Sequence, residues 1–342
     1  MENRIMKKHI VITSIFDPTE AVIAFSKMKD YQLIVVGDKK TPQDWNCDNV
    51  DYISVLKQEK LNFQLATVLP YNHYCRKMLG YLKAMQNGAH YIIDTDDDNI
   101  PKTNWSFPEF EGKYDCITKG EGFVNIYQLY TKQKIWPRGL PLKLINTPFE
   151  LEKKIEVKDC KVGIWQGLAD EDPDVDAIYR LTNDTPCYFE EREPVVCSQG
   201  IISPFNTQNT IIRKELFVLM YLPTYVTFRF TDILRGLVAQ PIMWLYGYQL
   251  GFINATVVQK RNPHDYMKDF ISEIPMYEYC EKVMELVSNS ISKSESIETN
   301  LYNAYSALLN EGIVCELELK TLEAWLMDIK DLDKIDANIN EK

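Results

Sequence analysis

The first hundred residues alternate between short apolar runs and amphipathic segments. The runs HIVITSIF, YQLIVVGD, VDYISVL and HYIIDTDDD are rich in β-branched and aromatic residues, as buried strands are. Between them, TEAVIAFSKMKD and YCRKMLGYLKAMQNGA carry apolar residues at helical spacing, and Gly88 marks the end of the second segment. Strands that alternate with helices predict βαβ units. We therefore expect an α/β fold with a Rossmann-like, mainly parallel sheet flanked by helices.

The rest of the chain is less regular and then becomes helical. Residues 101–230 are rich in aromatics and prolines, a long helix is predicted to begin near Thr231, and the pattern is helical from about residue 266. We expect one large domain over residues 1–280 and a helical C-terminal extension over residues 281–342.

Acidic side chains follow two of the predicted strands. Asp38 follows the second apolar run, and Asp94, Asp96, Asp97 and Asp98 lie within five residues at the end of HYIIDTDDD. In open α/β sheets, ligands bind outside the carboxyl ends of the strands. Mg²⁺ and Mn²⁺ take one or two protein carboxylates and complete their coordination with water and substrate phosphates. The cluster therefore favours a metal–diphosphate site.

The acidic cluster at residues 94–98 has three other interpretations. A calcium-binding EF-hand loop is excluded, because Asn99 and Trp105 stand where glycine and glutamate are needed. An apolar strand ending in Asp94 and Asp96 also partly resembles phosphatases with an aspartate nucleophile. A solvated acidic turn is the third alternative. The last two stay open.

Basic residues near the acidic strand ends are candidates for binding a nucleotide. Lys39 follows Asp38, and Arg76 with Lys77 lies on the helix that runs toward the aspartate strand. Such side chains neutralise a diphosphate, so we expect Asp38, Lys39, Arg76, Lys77 and Asp96 to bind nucleotide or diphosphate. A charged turn and a solvated helix face are the alternatives.

Composition excludes some classes of partner. The chain has 38 basic and 49 acidic residues and a net charge of −11, which argues against nucleic acid or an anionic membrane as the partner. Its eight cysteines contain no CxxC pair, so reduced thiols are expected. No segment has the pattern of a signal peptide or a membrane span. These features predict a cytoplasmic location and no transmembrane segment.

Several longer stretches resemble a known family. They occur in the same order over residues 8–280: VVGDKKTPQDW, RKMLGYLKAMQNGAHYIIDTDDDN, GLADEDPDVDAIYRLT, SPFNTQNTIIRKELFVLMYLP, FRFTDILRGLVAQ and QKRNPHDYMKDFISEIPMYE. They resemble the STELLO-type glycosyltransferases and, more distantly, the reversibly glycosylated polypeptides, which include the UDP-arabinopyranose mutases. Residues after 280 carry no motif that we assign.

The resemblance implies a GT-A fold, a nucleotide-sugar donor that is most often a UDP-sugar, and Mn²⁺ or Mg²⁺ as cofactor. It assigns Asp96, Asp97 and Asp98 to the D-x-D metal motif, and the GDKK turn to nucleotide contact. His264 stands where many GT-A enzymes supply a late histidine to the metal. An ordinary surface or core histidine is the alternative for His264.

The resemblance also suggests residues beside the acceptor. Asp232 falls where relatives carry an acidic residue at a helix start, which makes it the candidate general base of an inverting transfer to a glycan or other hydroxyl acceptor. Helix capping is its alternative role. Asp174 and Asp176 are candidates for binding sugar hydroxyls, and turn formation or helix capping is an equal alternative for both.

Three functions compete at this level. The first is a metal-dependent glycosyltransferase that uses a nucleotide sugar. The second is a nucleotide-sugar mutase or nucleotidyltransferase, which shares the donor site but not the acceptor. The third is a non-catalytic scaffold protein of the same fold. The oligomeric state stays open.

Overall fold

The computed structural model describes residues 6–261 and 265–340 of the 342-residue chain. Its strands are β1 (Lys8–Thr13), β2 (Tyr31–Val36), β3 (Val50–Ile53), β4 (Tyr91–Thr95), β5 (Asn99–Pro101), β6 (Glu111–Ile117), β7 (Gly122–Phe123), β8 (Ile155–Glu171), β9 (Val195–Cys197), β10 (Ile201–Ile202), β11 (Asn209–Arg213) and β12 (Gln249–Gln259). Its α-helices are α1 (Glu20–Phe25), α2 (Val55–Gln58), α3 (Gln64–Val68), α4 (Lys77–Gln86), α5 (Ala177–Thr182), α6 (Thr231–Leu245), α7 (Tyr266–Ser290), α8 (Ile297–Asn310) and α9 (Glu316–Asn340).

The strands of the N-terminal half form a parallel sheet. β1 pairs in parallel with β2 and β4, and β2 pairs in parallel with β3, in the order β3-β2-β1-β4. The centres of β1 and β4 are buried, as the unbroken apolar runs of a covered parallel sheet predict. The parallel arrangement brings the residues that follow β1, β2 and β4 to one edge.

The second half of the sheet is mixed. β11 lies antiparallel between β4 and β8, and the order continues through β6, β9, β12 and β5, with an additional parallel pairing of β8 and β12. The predicted α/β architecture, with a Rossmann-like parallel sheet flanked by helices and with helices at the C-terminus, is confirmed.

Helix α4 packs closely against the centre of the parallel strands. A Cβ atom on Gly80 would lie 2.5 Å from a side-chain carbon of Val11 and 2.8 Å from one of Val36, so glycine allows this approach. A 3₁₀ turn over Tyr74–Arg76 leads into the helix, and Gly88 follows its end with a φ of 78°, as the helix-stop prediction requires. The first residues of α4 therefore lie beside the last residues of β4.

The C-terminal helices pack on the rest of the chain. α9 contacts α3, α4 and α8, and α8 contacts α6 and α7. The predicted domain boundary at residue 280 falls within α7, and the division into two domains stays a prediction. Of the helices in the described ranges, none is both long and apolar enough to cross a bilayer.

Candidate active site

A cavity of about 350 Å³ opens at the carboxyl ends of β1, β2 and β4. One wall is formed by residues that follow these strands or precede α4: Thr13, Ser14, Ile15, Phe16, Asp38, Lys40, Asn72, His73, Tyr74, Asp96, Asp97 and Asp98. The rest of the lining comes from the second half of the chain and is called the facing wall below: Asp174, Asn206, Gln208, Phe228, Arg229, Asp232, Gln259 and Arg261. This is the edge at which open α/β sheets bind their ligands.

The side chain of Asp94, the first residue of the acidic cluster, lies in the protein interior and does not line the cavity. Its side chain is fully buried, with Oδ1 2.7 Å from Lys77 Nζ and Oδ2 2.7 Å from Arg235 Nη1. Two cations compensate this carboxylate, as a buried charge requires. Asp94 therefore anchors α4 and α6 to β4.

Asp96 both contacts the buried Lys77 and lines the cavity. Its Oδ1 lies 2.9 Å from Lys77 Nζ, and 32% of its side chain is exposed. Burial raises the pKa of the Asp96 carboxyl to about 7, against the opposing charge of Lys77, and the neighbouring Asp98 and Asp94 raise it further. A cation in the cavity would favour its ionised form.

Asp97 and Asp98 complete the acidic corner. Asp97 accepts a hydrogen bond from the Ser14 hydroxyl, and Asp98 Oδ2 accepts one from Gln259 Nε2 at 3.1 Å. Burial raises the pKa of both carboxyls. Oδ1 of Asp98 is buried and has no hydrogen-bond partner among the described residues. An unsatisfied buried acceptor in a cavity is suited to contact with a bound partner such as a cation.

The donor set fits a hard divalent ion of the Mg²⁺ or Mn²⁺ type. Within residues 6–261 and 265–340, no three His, Cys, Asp or Glu side chains are arranged to enclose a metal. Mg²⁺ does not need such a cage, because it is held by one or two carboxylates together with phosphate oxygens and water. Asp96 and Asp98 can supply those carboxylates. His264, the predicted late ligand, lies outside the described residues.

Asp38 uses its carboxylate to shape the neighbouring loops. Oδ1 accepts a hydrogen bond from the Lys39 backbone N–H at 2.7 Å, and Oδ2 accepts one from the His73 N–H at 3.0 Å. The Lys39 ammonium lies 4.1 Å from the centre of the Tyr71 ring, so it does not line the cavity, whereas Lys40 does. Asp38 thus joins the loop after β2 to the segment before α4.

Arg76 and Lys77 were predicted to face a diphosphate, but both are buried behind the cavity wall. Arg76 donates from Nε to Gln58 at 2.7 Å and from Nη1 to the Leu69 carbonyl at 2.9 Å. Although burial opposes it, the charges of Asp94 and Asp96 raise the pKa of Lys77. Neither side chain lines the cavity. Lys77 acts on the site through Asp96.

A buried guanidinium organises the facing wall. Arg138 donates to Asp174 from Nε and Nη2, at 2.8 Å each, and to Asp232 from Nη1 and Nη2 at 3.0 and 2.9 Å. Asn206 also donates to Asp174, at 2.7 Å. Although burial opposes it, the charge of Arg138 lowers the pKa of the Asp174 carboxyl to about 2. One arginine thus holds two carboxylates at the cavity.

Asp232 lies in the first turn of α6 and does not cap that helix. The N-cap residue is Phe230, which provides no side-chain cap. Asp232 instead directs its carboxylate to Arg138, with Thr207 Oγ1 3.5 Å from its Oδ2. Asp232 is therefore not the N-cap residue, and its Oδ1 accepts one first-turn hydrogen bond, from the Ile233 N–H at 3.0 Å.

The two remaining predicted aspartates differ from each other. Asp174 lines the cavity, whereas Asp176 is fully buried and accepts hydrogen bonds from Trp136 Nε1 at 2.7 Å and from the Tyr179 N–H at 2.9 Å. Asp176 is the N-cap of α5. Its contacts match the structural alternative rather than contact with a sugar.

Two arginines that the sequence reasoning missed supply positive charge to the cavity. Arg229 pairs with Glu273 at 2.9 Å and lies 3.8 Å from Asp174. Arg261 lies 3.4 Å from Asp269 and 3.9 Å from Asp172. Burial and the nearby charge of Arg229 lower the pKa of Arg261. An anionic ligand would relieve this repulsion. The one local signal was the position of Arg261 beside the NPHDY stretch.

Comparison with known proteins gives the same family as the sequence stretches did. A family model described as "STELLO glycosyltransferases" matches residues 229–340, which begin at Arg229 and include Asp232 and the C-terminal helices. Two Arabidopsis thaliana proteins also match. "Probable glycosyltransferase STELLO2" is 29% identical over 343 residues, and "Probable glycosyltransferase STELLO1" is 28% identical over 342 residues. The resemblance to the STELLO glycosyltransferases is confirmed.

The two STELLO proteins are longer than the region that they share with this chain. Each alignment covers 94% of this chain but 44% of the STELLO protein. The family match also reaches the tail after residue 280, where no motif was assigned from the sequence.

Proposed function

We propose that this chain is a metal-dependent glycosyltransferase that moves a sugar from a nucleotide donor, a UDP-sugar, to a hydroxyl acceptor such as a glycan. One observation carries the proposal. A single cavity joins the acidic corner after β4 to a wall that holds Asp232, paired with Arg138, and two further arginines.

The donor is proposed to lie along the ends of the parallel strands. The loop after β2, held by Asp38, and the segment at residues 72–74 would receive the nucleoside, and Lys40 lines this end of the cavity. Asp96 and Asp98 would hold Mn²⁺ or Mg²⁺ with the donor phosphates, with Asp97 supporting the corner through Ser14. When bound, this ion supplies Lewis-acid stabilisation of the departing diphosphate. Arg229 and Arg261 line the same cavity and would add positive charge beside the phosphates.

The acceptor is proposed to lie against the facing wall, where Asp232 and Asp174 are the two candidate bases. Asp174 receives hydrogen bonds on both oxygens from Arg138 and one more from Asn206, and its pKa of about 2 makes it a weak proton acceptor. Oδ2 of Asp232 receives one short bond from Arg138 and one weak contact from Thr207. Oδ1 of Asp232 is also occupied, by Arg138 and by the Ile233 N–H at 3.0 Å each. An acceptor hydroxyl would therefore reach Oδ2 by displacing the Thr207 hydroxyl, whose contact is the longest of the four. A base that acts directly on the acceptor implies inversion at the sugar carbon.

Metal-dependent stabilisation by a nucleotide tests the proposal. We expect UDP with Mn²⁺ to stabilise the chain, by about 2.7 kcal/mol when the ligand is a hundredfold above its Kd, and UDP or Mn²⁺ alone to have a much smaller effect. Thermal shift with UDP, GDP, ADP and CDP, each with and without Mn²⁺, measures this and identifies the nucleoside. Asp98→Asn should abolish the shift, and Asp159→Asn, at an exposed position on β8, should preserve it. The absence of a shift with every nucleotide would contradict the proposal and favour a non-catalytic binding role.

Nucleotide binding with metal should depend on pH. Asp96 must lose its proton to hold a cation, and its pKa lies near 7 instead of its usual 3.8. We therefore expect the affinity for Mn²⁺ and UDP to fall by about tenfold per pH unit below neutrality and to level off above it. Because the folded pKa is raised, the ligand-free chain should also lose stability as pH rises from about 4 to about 7. Calorimetric titration and urea unfolding measure the two effects. Asp96→Asn should weaken the pH dependence of the stability, and an unchanged dependence would contradict the assignment.

A further inference from the structure

Glu318 is a buried carboxylate on the C-terminal helix α9 that holds a segment of the chain without a cationic partner in the described residues. It is fully buried and accepts hydrogen bonds from the Thr224 N–H at 2.9 Å, the Tyr225 N–H at 2.7 Å and the Tyr221 hydroxyl. Leaving such a group unpaired in the interior is costly. The contacts therefore hold residues 221–225 firmly against α9.

The segment held by Glu318 leads directly into the cavity wall. Residues 221–227 belong to no helix or strand, so side chains supply the hydrogen bonds that regular structure would make. A second anchor follows on α7, where Ser272 accepts from Thr227 Oγ1 at 2.6 Å through its carbonyl and from the Arg229 N–H at 3.2 Å through its hydroxyl. The next residues that line the cavity are Phe228, Arg229 and Asp232.

Asp328 makes an equivalent contact elsewhere on α9. Its carboxylate accepts hydrogen bonds from the N–H groups of Gln64 and Leu65 at the start of α3, at 2.8 Å each. Residues 64–68 of α3 do not line the cavity. The helix thus carries two buried carboxylates that each bind backbone N–H groups, and one of the two acts on a segment that enters the site.

We propose that Glu318 is a positioning residue. Through it, α9 fixes the position of the cavity wall that would bind the acceptor. The assignment of that wall to the acceptor rests on the proposed function, whereas the mechanical link from Glu318 to residues 221–232 does not. Loss of the link should displace Phe228 and Asp232 relative to the acidic corner, which follows β4. Among the described residues, the hydrogen bonds of the segment at residues 221–225 to the N-terminal half join it to Cys75 and Met78 and not to the acidic corner. Donor binding should then survive while transfer is impaired.

Two alanine variants separate this role from general stabilisation. In Glu318→Ala, hydrogen exchange measured by mass spectrometry should become faster in peptides that cover residues 221–230 and stay unchanged in those that cover α3. In Asp328→Ala, the pattern should be reversed. The affinity for UDP with Mn²⁺ should change by less than about threefold in both, while the ratio of sugar transfer to UDP-sugar hydrolysis falls by about tenfold to a hundredfold in Glu318→Ala alone. Glu318→Gln retains one acceptor oxygen and should give an intermediate ratio.

Each outcome decides one claim. Equal exchange patterns in the two variants, or an unchanged ratio of transfer to hydrolysis in Glu318→Ala, would overturn the positioning role. If the wild-type chain turned over no nucleotide sugar, the proposed function would fail, and the exchange patterns would still show whether Glu318 holds the wall.

Discussion

Asp232→Asn is expected to abolish sugar transfer while nucleotide binding persists. A positioned general base contributes about 10²–10⁴-fold to the rate, and an amide cannot take the acceptor proton. Asp96 and Asp98 share no hydrogen-bond or ion-pair partner with Asp232 among the described residues, so UDP with Mn²⁺ should bind as it does to the wild-type chain. Initial rates with a UDP-sugar donor and calorimetric UDP binding measure the two properties separately.

Asp174→Asn provides a matched comparison for this substitution. It disturbs the same Arg138 guanidinium at the same depth in the wall. Because Asp174 is not the proposed base, its variant should retain at least about ten times more transfer activity than Asp232→Asn. Equal losses in the two variants, or loss of UDP binding in Asp232→Asn, would refute the assignment of the base.

Arg138→Ala is expected to cause the largest loss of stability in the site. The substitution leaves Asp174 and Asp232 buried beside each other without the cation that pairs with both. Removing one partner of a buried ion pair costs about 3–5 kcal/mol, and here two carboxylates lose their shared partner. The free energy of unfolding in urea measures the loss. It should shrink at acid pH, because the stability that Arg138 provides by lowering the pKa of Asp174 is lost as that carboxyl becomes protonated.

An arginine with a more exposed partner gives the control for Arg138. Arg192 pairs with Glu152, whose side chain is 67% exposed, so Arg192→Ala should cost less than about 1 kcal/mol. Comparable losses for the two arginines would show that Arg138 does not compensate buried charge. Arg138→Lys should recover only part of the stability, because an ammonium cannot make the paired contacts of a guanidinium.

The acidic part of the site was predictable from the sequence because its residues come directly after predicted strands. An apolar run that stops at Asp38 or at the Asp94–Asp98 cluster places those residues at one edge of a parallel sheet, whatever the rest of the chain does. The structure brings Asp38, Asp96, Asp97 and Asp98 to the same cavity. Which aspartates of the cluster are buried in ion pairs and which line the cavity was not predictable. This difference arises because Lys77 and Arg235 contact Asp94 from two different helices.

Helix α6 contained a signal that could have been used. Asp232 and Arg235 are spaced three residues apart in an otherwise apolar, buried helix, and charged residues in such a helix need partners. The spacing predicts one charged face. It does not identify the partners, which are Arg138 and Asp94, at 94 and 141 residues along the chain.

The sequence by itself determined the order of strands and helices in the first hundred residues, the acidic strand ends and the family to which the chain is similar, because these depend on local periodicity and on ordered motifs. Only the tertiary structure decided that Arg76 and Lys77 face inward, that Asp176 caps a helix, and that Arg138 and Glu318 organise the facing wall. Those roles arise from contacts between residues far apart in the chain. A buried charge is stabilised by whichever opposite charge or hydrogen-bond donor the fold brings within about 3 Å, and sequence spacing carries no information on that distance.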